Sequence, residues 1–230
     1  SWFGNDLRCG SCQIRPKVER HEVEGANMPW GVAGIGRAEA ELIARVEDRP
    51  IYGGTPTDQA VMEAIHALQA RGQRVMSYPF ILMDQLAGND LPDPWTGQTG
   101  QPHLPWRGRI TLSVAPGQTG SPDGSVAAQS EVAAFFGQVT AADFTVTVGK
   151  AAQNGQPASP GSVTYSGDPE DWGLARFILH NAGLCAAAGG VEAFCIGSEM
   201  RALTQIRDDQ GFPAVAALRD LTQQVRQILG

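Results

Sequence analysis

The sequence is poor in charge, in lysine and in long apolar runs. Charged residues make up 18% of its 230 residues, against roughly 25% in typical soluble domains, and its only lysines are Lys17 and Lys150. Together with a net charge of −7, this composition argues against a nucleic-acid partner. No run approaches the roughly 18 apolar residues that a membrane span needs. The sequence therefore predicts neither a nucleic-acid surface nor a membrane span.

Cysteine is also scarce, since four residues are too few for a disulfide scaffold at this length. Cys9 and Cys12 form a C-x2-C pair in a glycine-rich turn, whereas Cys185 and Cys195 fall on a predicted helix and strand. A zinc site would require the two cysteine pairs to come together in the fold, and their spacing in the sequence does not require this. We prefer the interpretation that Cys185 and Cys195 are buried hydrophobic thiols. Cys9 and Cys12 would then form a local pair that is either reduced or oxidised. No phosphate loop or metal-ligand cluster stands out, so no cofactor is predicted.

The chain begins Ser1-Trp2-Phe3 without an initiator methionine or a secretory signal peptide. We therefore expect a piece of a longer polypeptide. Glycine and proline are abundant, with 28 and 15 residues, and 42% of the chain is apolar. This combination predicts a folded domain with many loops.

The clearest local unit is a helix followed by a strand. Thr57 or Asp58 can cap a helix whose apolar residues recur at helical spacing, and Gly72 ends it. The segment 74–84 that follows is nearly all apolar and β-favouring, which is typical of a strand buried on both faces. Pro79 counts against a regular central strand unless it lies at a bulge.

A second unit of the same kind occupies the C-terminal part of the chain. Asp168 is the predicted cap of a helix with Pro169 at its first position, and Gly189-Gly190 ends that helix. A short strand over 191–196 follows, and a last helix begins near Pro213. Short connections between helices and strands are typical of an α/β fold around a parallel sheet.

Between these units, residues 85–167 predict a long and mostly irregular loop. It carries a helix near 131–136 and a possible hairpin that pairs 144–148 with 163–165 through the Gly/Pro-rich 153–161. A loop of this length in a compact domain is usually functional. It leaves the carboxyl end of the preceding strand, the edge at which parallel α/β folds bind their ligands.

Two carboxylates follow the predicted strands. Glu199 comes directly after the second strand with Gly197 and Ser198 beside it, where barrel glycosidases keep a general acid/base. The alternative is a helix cap or an ion pair with Arg201. Asp84 ends the first strand and is the weaker catalytic candidate, because a lone aspartate is more often a turn former or helix cap.

The long loop contains candidate sugar-binding residues, namely Asn89, Trp95, Trp106 and Arg107, and Ser198 beside Glu199 is a further candidate. Aromatic rings stack on the apolar faces of sugars, while amide and guanidinium groups bind their hydroxyls. The alternative is a packed loop in which Trp95 and Trp106 form a core of their own.

Several blocks of the sequence resemble a known family. These blocks are SWFGNDLRCGSCQIRPKVE, YGGTPTDQAV, YPFILMD, PWRGRIT, FILHNAGLCAAAGGVEAFCIGSEMRALTQIRD and FPAVAALRDL. They are similar to the TIM-barrel-like domain of the large host-specificity protein, or baseplate megatron, of gene transfer agents and related phage tails. The resemblance runs over nearly the whole chain.

The resemblance implies an α/β fold of the (β/α)8 TIM-barrel type, related to glycoside hydrolases. A whole barrel takes about 250 residues, so we expect residues 1–230 to form a single partial barrel domain with 85–167 as a long inserted loop. An open half-barrel exposes sheet edges and apolar helix faces. We therefore expect self-association, or completion of the sheet by another copy or segment.

The resemblance also bears on the site and the location. In related retaining glycosidases the fourth strand ends in Asn-Glu, whereas the matching pair here is Ser198-Glu199, so the asparagine that would hold the sugar 2-hydroxyl is absent. A retaining site needs a second carboxylate about 5 Å away, and the sequence identifies no partner for Glu199. The implied location is the tail tip of a phage-like particle, assembled in the bacterial cytoplasm.

Three functions remain open at this point. The first is a structural component of a phage-tail-like baseplate that contacts other tail proteins and a bacterial surface glycan. The second is a glycosidase that cleaves cell-surface or cell-wall glycan with Glu199 as acid/base. The third is an inert barrel whose loops only contact neighbouring tail proteins. The missing asparagine and nucleophile favour the first, while the sugar-like loop keeps the second open.

Overall fold

The computed structural model describes residues 1–19, 29–150 and 160–230 in full, and residues 22–23 and 26–27 by their backbone alone. Its helices are α1 (Asp58–Ala70), α2 (Val126–Phe136), α3 (Leu174–Ala187), α4 (Arg201–Thr204) and α5 (Pro213–Leu229), with short 3-10 helices at Arg107–Arg109 and Ala141–Asp143. Its strands are β1 (Trp2–Gly4), β2 (Ile14–Arg15), β3 (Lys17–Val18), β4 (Glu22–Val23), β5 (Ala26–Asn27), β6 (Gly31–Val32), β7 (Ile35–Gly36), β8 (Glu41–Leu42), β9 (Arg45–Val46), β10 (Arg49–Pro50), β11 (Met76–Ser77), β12 (Ile81–Met83), β13 (Phe144–Thr147), β14 (Ser162–Tyr165) and β15 (Ala193–Phe194).

Helix α3 is the centre of the hydrophobic core. Of its 14 residues, 12 are buried, as expected for a helix that is apolar around most of its circumference. It contacts α1, α2, α5 and the β13–β14 hairpin. Gly183 allows the hairpin to approach closely, because a Cβ atom there would lie 2.9 Å from a methyl group of Val163. On another side, the ring of Trp2 packs 5.1 Å from that of Phe177.

Two parallel strand pairs link the N-terminal strand to the strand before α4. β1 pairs with β12, with Phe3 opposite Leu82, and β11 pairs with β15, with Met76 opposite Ala193. Because β11 and β12 are successive parts of one segment, that segment connects β1 with β15. The sheets of the described residues contain two or three strands each, and none of them closes into a barrel. The structure is thus a mixture of helices and small sheets, compatible with a TIM-barrel-like fold.

Several predicted elements are confirmed. The Thr57 hydroxyl caps α1 by accepting the Ala60 N–H at 3.0 Å, and the helix ends shortly before Gly72. α5 begins at Pro213, and β13 pairs with β14 in the predicted hairpin. Most of the predicted Gly/Pro-rich connection of this hairpin lies outside the described residues.

The predicted strand over 74–84 is wrong in its continuity. It is split into β11 and β12 around Pro79, which lacks the N–H that a central strand donates. Met76 is 62% exposed rather than buried. The predicted strand over 191–196 is also shorter than expected, since only Ala193–Phe194 pairs.

Two helix starts were also predicted wrongly. α2 begins at Val126 rather than near residue 131. α3 begins at Leu174 rather than after Asp168, because the preceding residues are held in a turn. The Asp171 carboxylate accepts the N–H of Gly173 at 3.0 Å, and the Arg176 guanidinium donates to the carbonyl of Asp171 at 3.1 Å.

A buried ion pair ties β3 to the end of β12. The Lys17 Nζ atom lies 2.8 Å from Asp84 Oδ2 and 2.9 Å from Glu41 Oε2. Burial by itself lowers the pKa of the Lys17 ammonium, but the two carboxylates outweigh it and hold the pKa above its ordinary value of 10.5. Stability gained from this raised pKa is present below pH 10.5 and is lost as the pH rises through the folded-state pKa.

We expect Lys17→Met to lower the free energy of unfolding by about 3 kcal/mol, since it leaves the Asp84 carboxylate buried without its cation. The Asp84 side chain is only 6% exposed. Lys150→Met is the matched control, because Lys150 is exposed. Urea unfolding at pH 7 measures both variants, and equal midpoints would contradict the assignment.

Candidate functional site

The residues that follow β15 and the long loop that follows β12 meet at a cluster of polar side chains. The loop places Trp106 and Arg107 at the start of the 3-10 helix, against Ser198 and Glu199. The Trp106 Nε1–H donates to Glu199 Oε2 at 2.6 Å. The Arg107 Nη2 atom lies 3.2 Å from the same oxygen. Four predicted site residues are therefore brought together.

Arg107 is the buried centre of this cluster, with a side chain that is 5% exposed. Its Nε–H donates to the Ser198 carbonyl at 3.1 Å and its Nη2 to the Ser198 hydroxyl at 2.9 Å. The guanidinium carbon lies 3.7 Å from the centre of the Phe80 ring, a cation–π contact. Because its guanidinium group is buried and engaged in these contacts, Arg107 positions the neighbouring side chains and is poorly placed to bind a ligand itself.

Glu199 has a left-handed backbone with φ of +55°, a conformation that costs a non-glycine residue roughly 1 kcal/mol. It lies five positions beyond the end of β15 at Phe194, rather than directly after the strand. Its side chain is 52% exposed and pairs with Arg107, not with Arg201. The contacts of Arg107 with Ser198 and Glu199 hold this strained turn in place.

Trp95 and Trp106 border a cleft of about 360 Å³. Trp106 is 47% exposed. Trp95 is anchored in the loop, since its Nε1–H donates to the Arg109 carbonyl at 2.9 Å. The other residues that line the cleft are Gly108, Arg109, Arg201, Ala202 and Gln205. The loop thus presents one exposed indole face beside a second, partly buried ring.

The other two predicted site residues serve the framework. The Asn89 amide donates to the carbonyls of Leu86 and Gln101, and its oxygen accepts the N–H of Leu91. Asp84 holds Lys17, as described above. Among the described residues, no hydrogen bond or ion pair joins Asn89 or Asp84 to Glu199.

Sequence reasoning missed Gly108, which decides where the Trp106 ring can lie. A Cβ atom at this position would approach the ring to 2.4 Å, so only glycine lets the indole lie over this backbone. The signal was present in the Pro-Trp-Arg-Gly-Arg run of the long loop, where a glycine lies two positions after the tryptophan. It was not decisive, because glycine is common throughout the chain.

The cysteines do not contribute to the site. Cys9, Cys12 and Cys185 are buried free thiols. The expected burial is confirmed for Cys185 but not for Cys195, which is only half-buried. Burial raises the pKa of Cys12 to about 12, so this thiol is protonated and unreactive at neutral pH. Within the described ranges, no group of three or more His, Cys, Asp and Glu side chains could hold a metal ion.

The fold and site define a mixed α/β domain with polar side chains beyond the carboxyl ends of parallel strands. Residues 172–230, about a quarter of the chain, match the family model of the GTA TIM-barrel-like domain, where GTA stands for gene transfer agent. Over this segment the family match confirms the resemblance found in the sequence. The matched segment contains α3, β15, α4, α5 and Glu199.

A comparison with curated proteins gave no match. In the part of the chain that the structure describes, no helix is both long enough and apolar enough to cross a membrane.

We expect Gly108→Ala to push the Trp106 ring away and break its hydrogen bond to Glu199, because the new methyl group occupies the place of the ring. The indole N–H resonance of Trp106, assigned with Trp106→Phe, should move toward that of a free indole in a ¹H–¹⁵N spectrum. Gly53→Ala is the control, since nothing lies within 4 Å of its added Cβ. An unmoved resonance in Gly108→Ala would show that the ring does not depend on this glycine.

Proposed function

We propose that this protein is a structural and glycan-binding component of the baseplate or tail tip of a gene transfer agent, built on a partial glycoside-hydrolase-like barrel. The family match over residues 172–230 supports a component of such a phage-like particle. The observation that carries the glycan-binding part is the half-exposed indole of Trp106, fixed by its hydrogen bond to Glu199.

The physical argument rests on preorganisation. A sugar ring binds weakly to water-exposed protein, so much of its affinity comes from stacking on an aromatic face that is already in place. The Trp106 ring is held at one edge by Glu199 and rests on Gly108. Little side-chain freedom is then lost when a ligand stacks on it. Trp95, across the cleft, adds a second apolar wall.

Trp106→Ala should weaken binding to bacterial surface polysaccharide at least tenfold, because it removes the stacking face. Phe212→Ala is the control, since Phe212 is 53% exposed and does not line the cleft. A glycan array followed by titration with the best ligand measures both variants. Equal affinities for the wild type and Trp106→Ala would refute binding at this cleft.

A glycosidase remains the second candidate, because Glu199 is exposed beyond the end of a parallel strand, where barrel hydrolases keep an acid/base. The Trp106 N–H donates to its Oε2 atom, and Arg107 forms an ion pair with the same oxygen. A hydrolase would further require a second carboxylate at about 5 Å, or at about 6.5–9.5 Å for inversion of configuration. The sequence resemblance sets Ser198 against the asparagine of the related enzymes, which counts against hydrolysis.

We expect the wild type, Glu199→Gln and Glu192→Gln to release reducing sugar from capsular or cell-wall preparations at the same background rate. Glu192 is the matched control, since its side chain is also 52% exposed and also ion-paired with an arginine. Release by the wild type and Glu192→Gln, but not by Glu199→Gln, would replace the binding function with a glycosidase.

Contacts with other particle proteins form part of the same proposal. Large apolar side chains are exposed at Met76 on β11 and at Phe212 and Val215 near the start of α5. Such side chains favour burial against another protein surface. Self-association, which the half-barrel expectation suggests, stays a prediction.

A further inference from the structure

The cleft between Trp95 and Trp106 is positively charged within a negatively charged protein. Arg109 and Arg201 line it, and no carboxylate is among the lining residues. Glu199, which borders it through Trp106, is paired with Arg107. Among the described residues, neither Arg109 nor Arg201 takes part in an ion pair.

The two arginines are held on separate elements that face the same space. The Arg109 guanidinium lies 5.7 Å from the Trp95 ring centre, so the ring keeps it at the wall of the cleft. Arg201 is exposed at the first position of α4. Gln205 follows four residues later on the same side of that helix and also lines the cleft.

We propose that this cleft selects acidic sugar chains, whose carboxylate, sulfate or phosphate groups pair with Arg109 and Arg201 while a sugar ring stacks on Trp106. The inference rests on the proposed glycan-binding function and adds the class of glycan. A guanidinium group binds a planar carboxylate or an oxyanion through two parallel hydrogen bonds. A neutral glycan would leave both arginines in the cleft without an anion.

The charge of the whole chain strengthens this argument. With a net charge of −7, the protein repels polyanions over most of its surface, so non-specific attraction does not explain binding. An acidic chain would be attracted to this cleft, because two arginines line it and no carboxylate is among its lining residues. Its binding should weaken with added salt, because partly exposed ion pairs are screened.

The test compares polymers that differ in charge alone. The probes are dextran sulfate against dextran, and polygalacturonate against its fully methyl-esterified form, titrated into the protein at 50 and 300 mM salt. We expect each charged polymer to bind at least tenfold more tightly than its neutral partner. Binding of only one charged polymer identifies whether sulfate-like or carboxylate groups are the ligand.

Variants separate this cleft from the rest of the surface. Arg201→Gln should weaken binding of the charged polymer about tenfold, as expected for loss of one charge-assisted contact, and should leave binding of the neutral polymer unchanged. Arg109→Gln should act in the same direction. Arg71→Gln is the control, since Arg71 is exposed at the end of α1 and does not line the cleft. Trp106→Ala should weaken the binding of both polymers.

The failures of the two proposals are distinguishable. Equal binding of charged and neutral polymers, or an Arg201→Gln variant that behaves like Arg71→Gln, overturns the selectivity for acidic glycans and leaves glycan binding intact. Binding of neither class, with a glycan array that is also blank, refutes the proposed function itself.

Discussion

The candidate site depends on one buried guanidinium group. A charge that is almost fully removed from water is stable only when its donors are used, and Arg107 uses them on Ser198 and Glu199 while it covers the ring of Phe80. This contact joins the long loop to the end of the β15 segment. The contact holds Glu199, which has a left-handed backbone, and the Glu199 carboxylate in turn accepts the Trp106 indole N–H.

The loop can carry such a contact because its far side is part of the core. Ile110 and Leu112, which follow the 3-10 helix, are fully buried. Between them, the Thr111 N–H donates to the Leu7 carbonyl at 2.8 Å, and the Thr111 carbonyl accepts the N–H of Cys9 at 2.6 Å. The segment that looks irregular in sequence is thus bonded to the N-terminal part of the chain. A rigid scaffold under a ligand-bearing loop is the usual arrangement in binding proteins.

Short sequence patterns were sufficient to predict the elements that contacts between neighbouring residues determine. The cap at Thr57, the proline at the start of α5 and the alternating hairpin strands each contain their own physical cause in a few neighbouring residues. The predicted start at Asp168 failed because distant groups decided it, among them the Gln138 N–H that binds the Asp171 carboxylate at 2.6 Å. Pro79 warned of the break in the strand, yet the apolar run around it suggested continuity. The pairing of Arg107 with Ser198 spans 91 positions, and no local pattern could reveal it.

The same distinction between the overall fold and individual contacts separates the two functions considered for Glu199. Its place beyond a parallel strand is a property of the fold, and folds of this kind host many chemistries. Its role depends instead on its immediate partners, the Trp106 indole N–H that donates to Oε2 and the Arg107 guanidinium that forms an ion pair with the same oxygen. A general acid has to donate its own proton to a leaving group and needs a second carboxylate across the bond. A carboxylate that accepts the indole N–H and pairs with a guanidinium group is better suited to hold an aromatic face in place. Our proposal of recognition rather than hydrolysis rests on this geometry, because the contacts of Glu199 join it to the neighbouring Trp106 and Arg107 side chains.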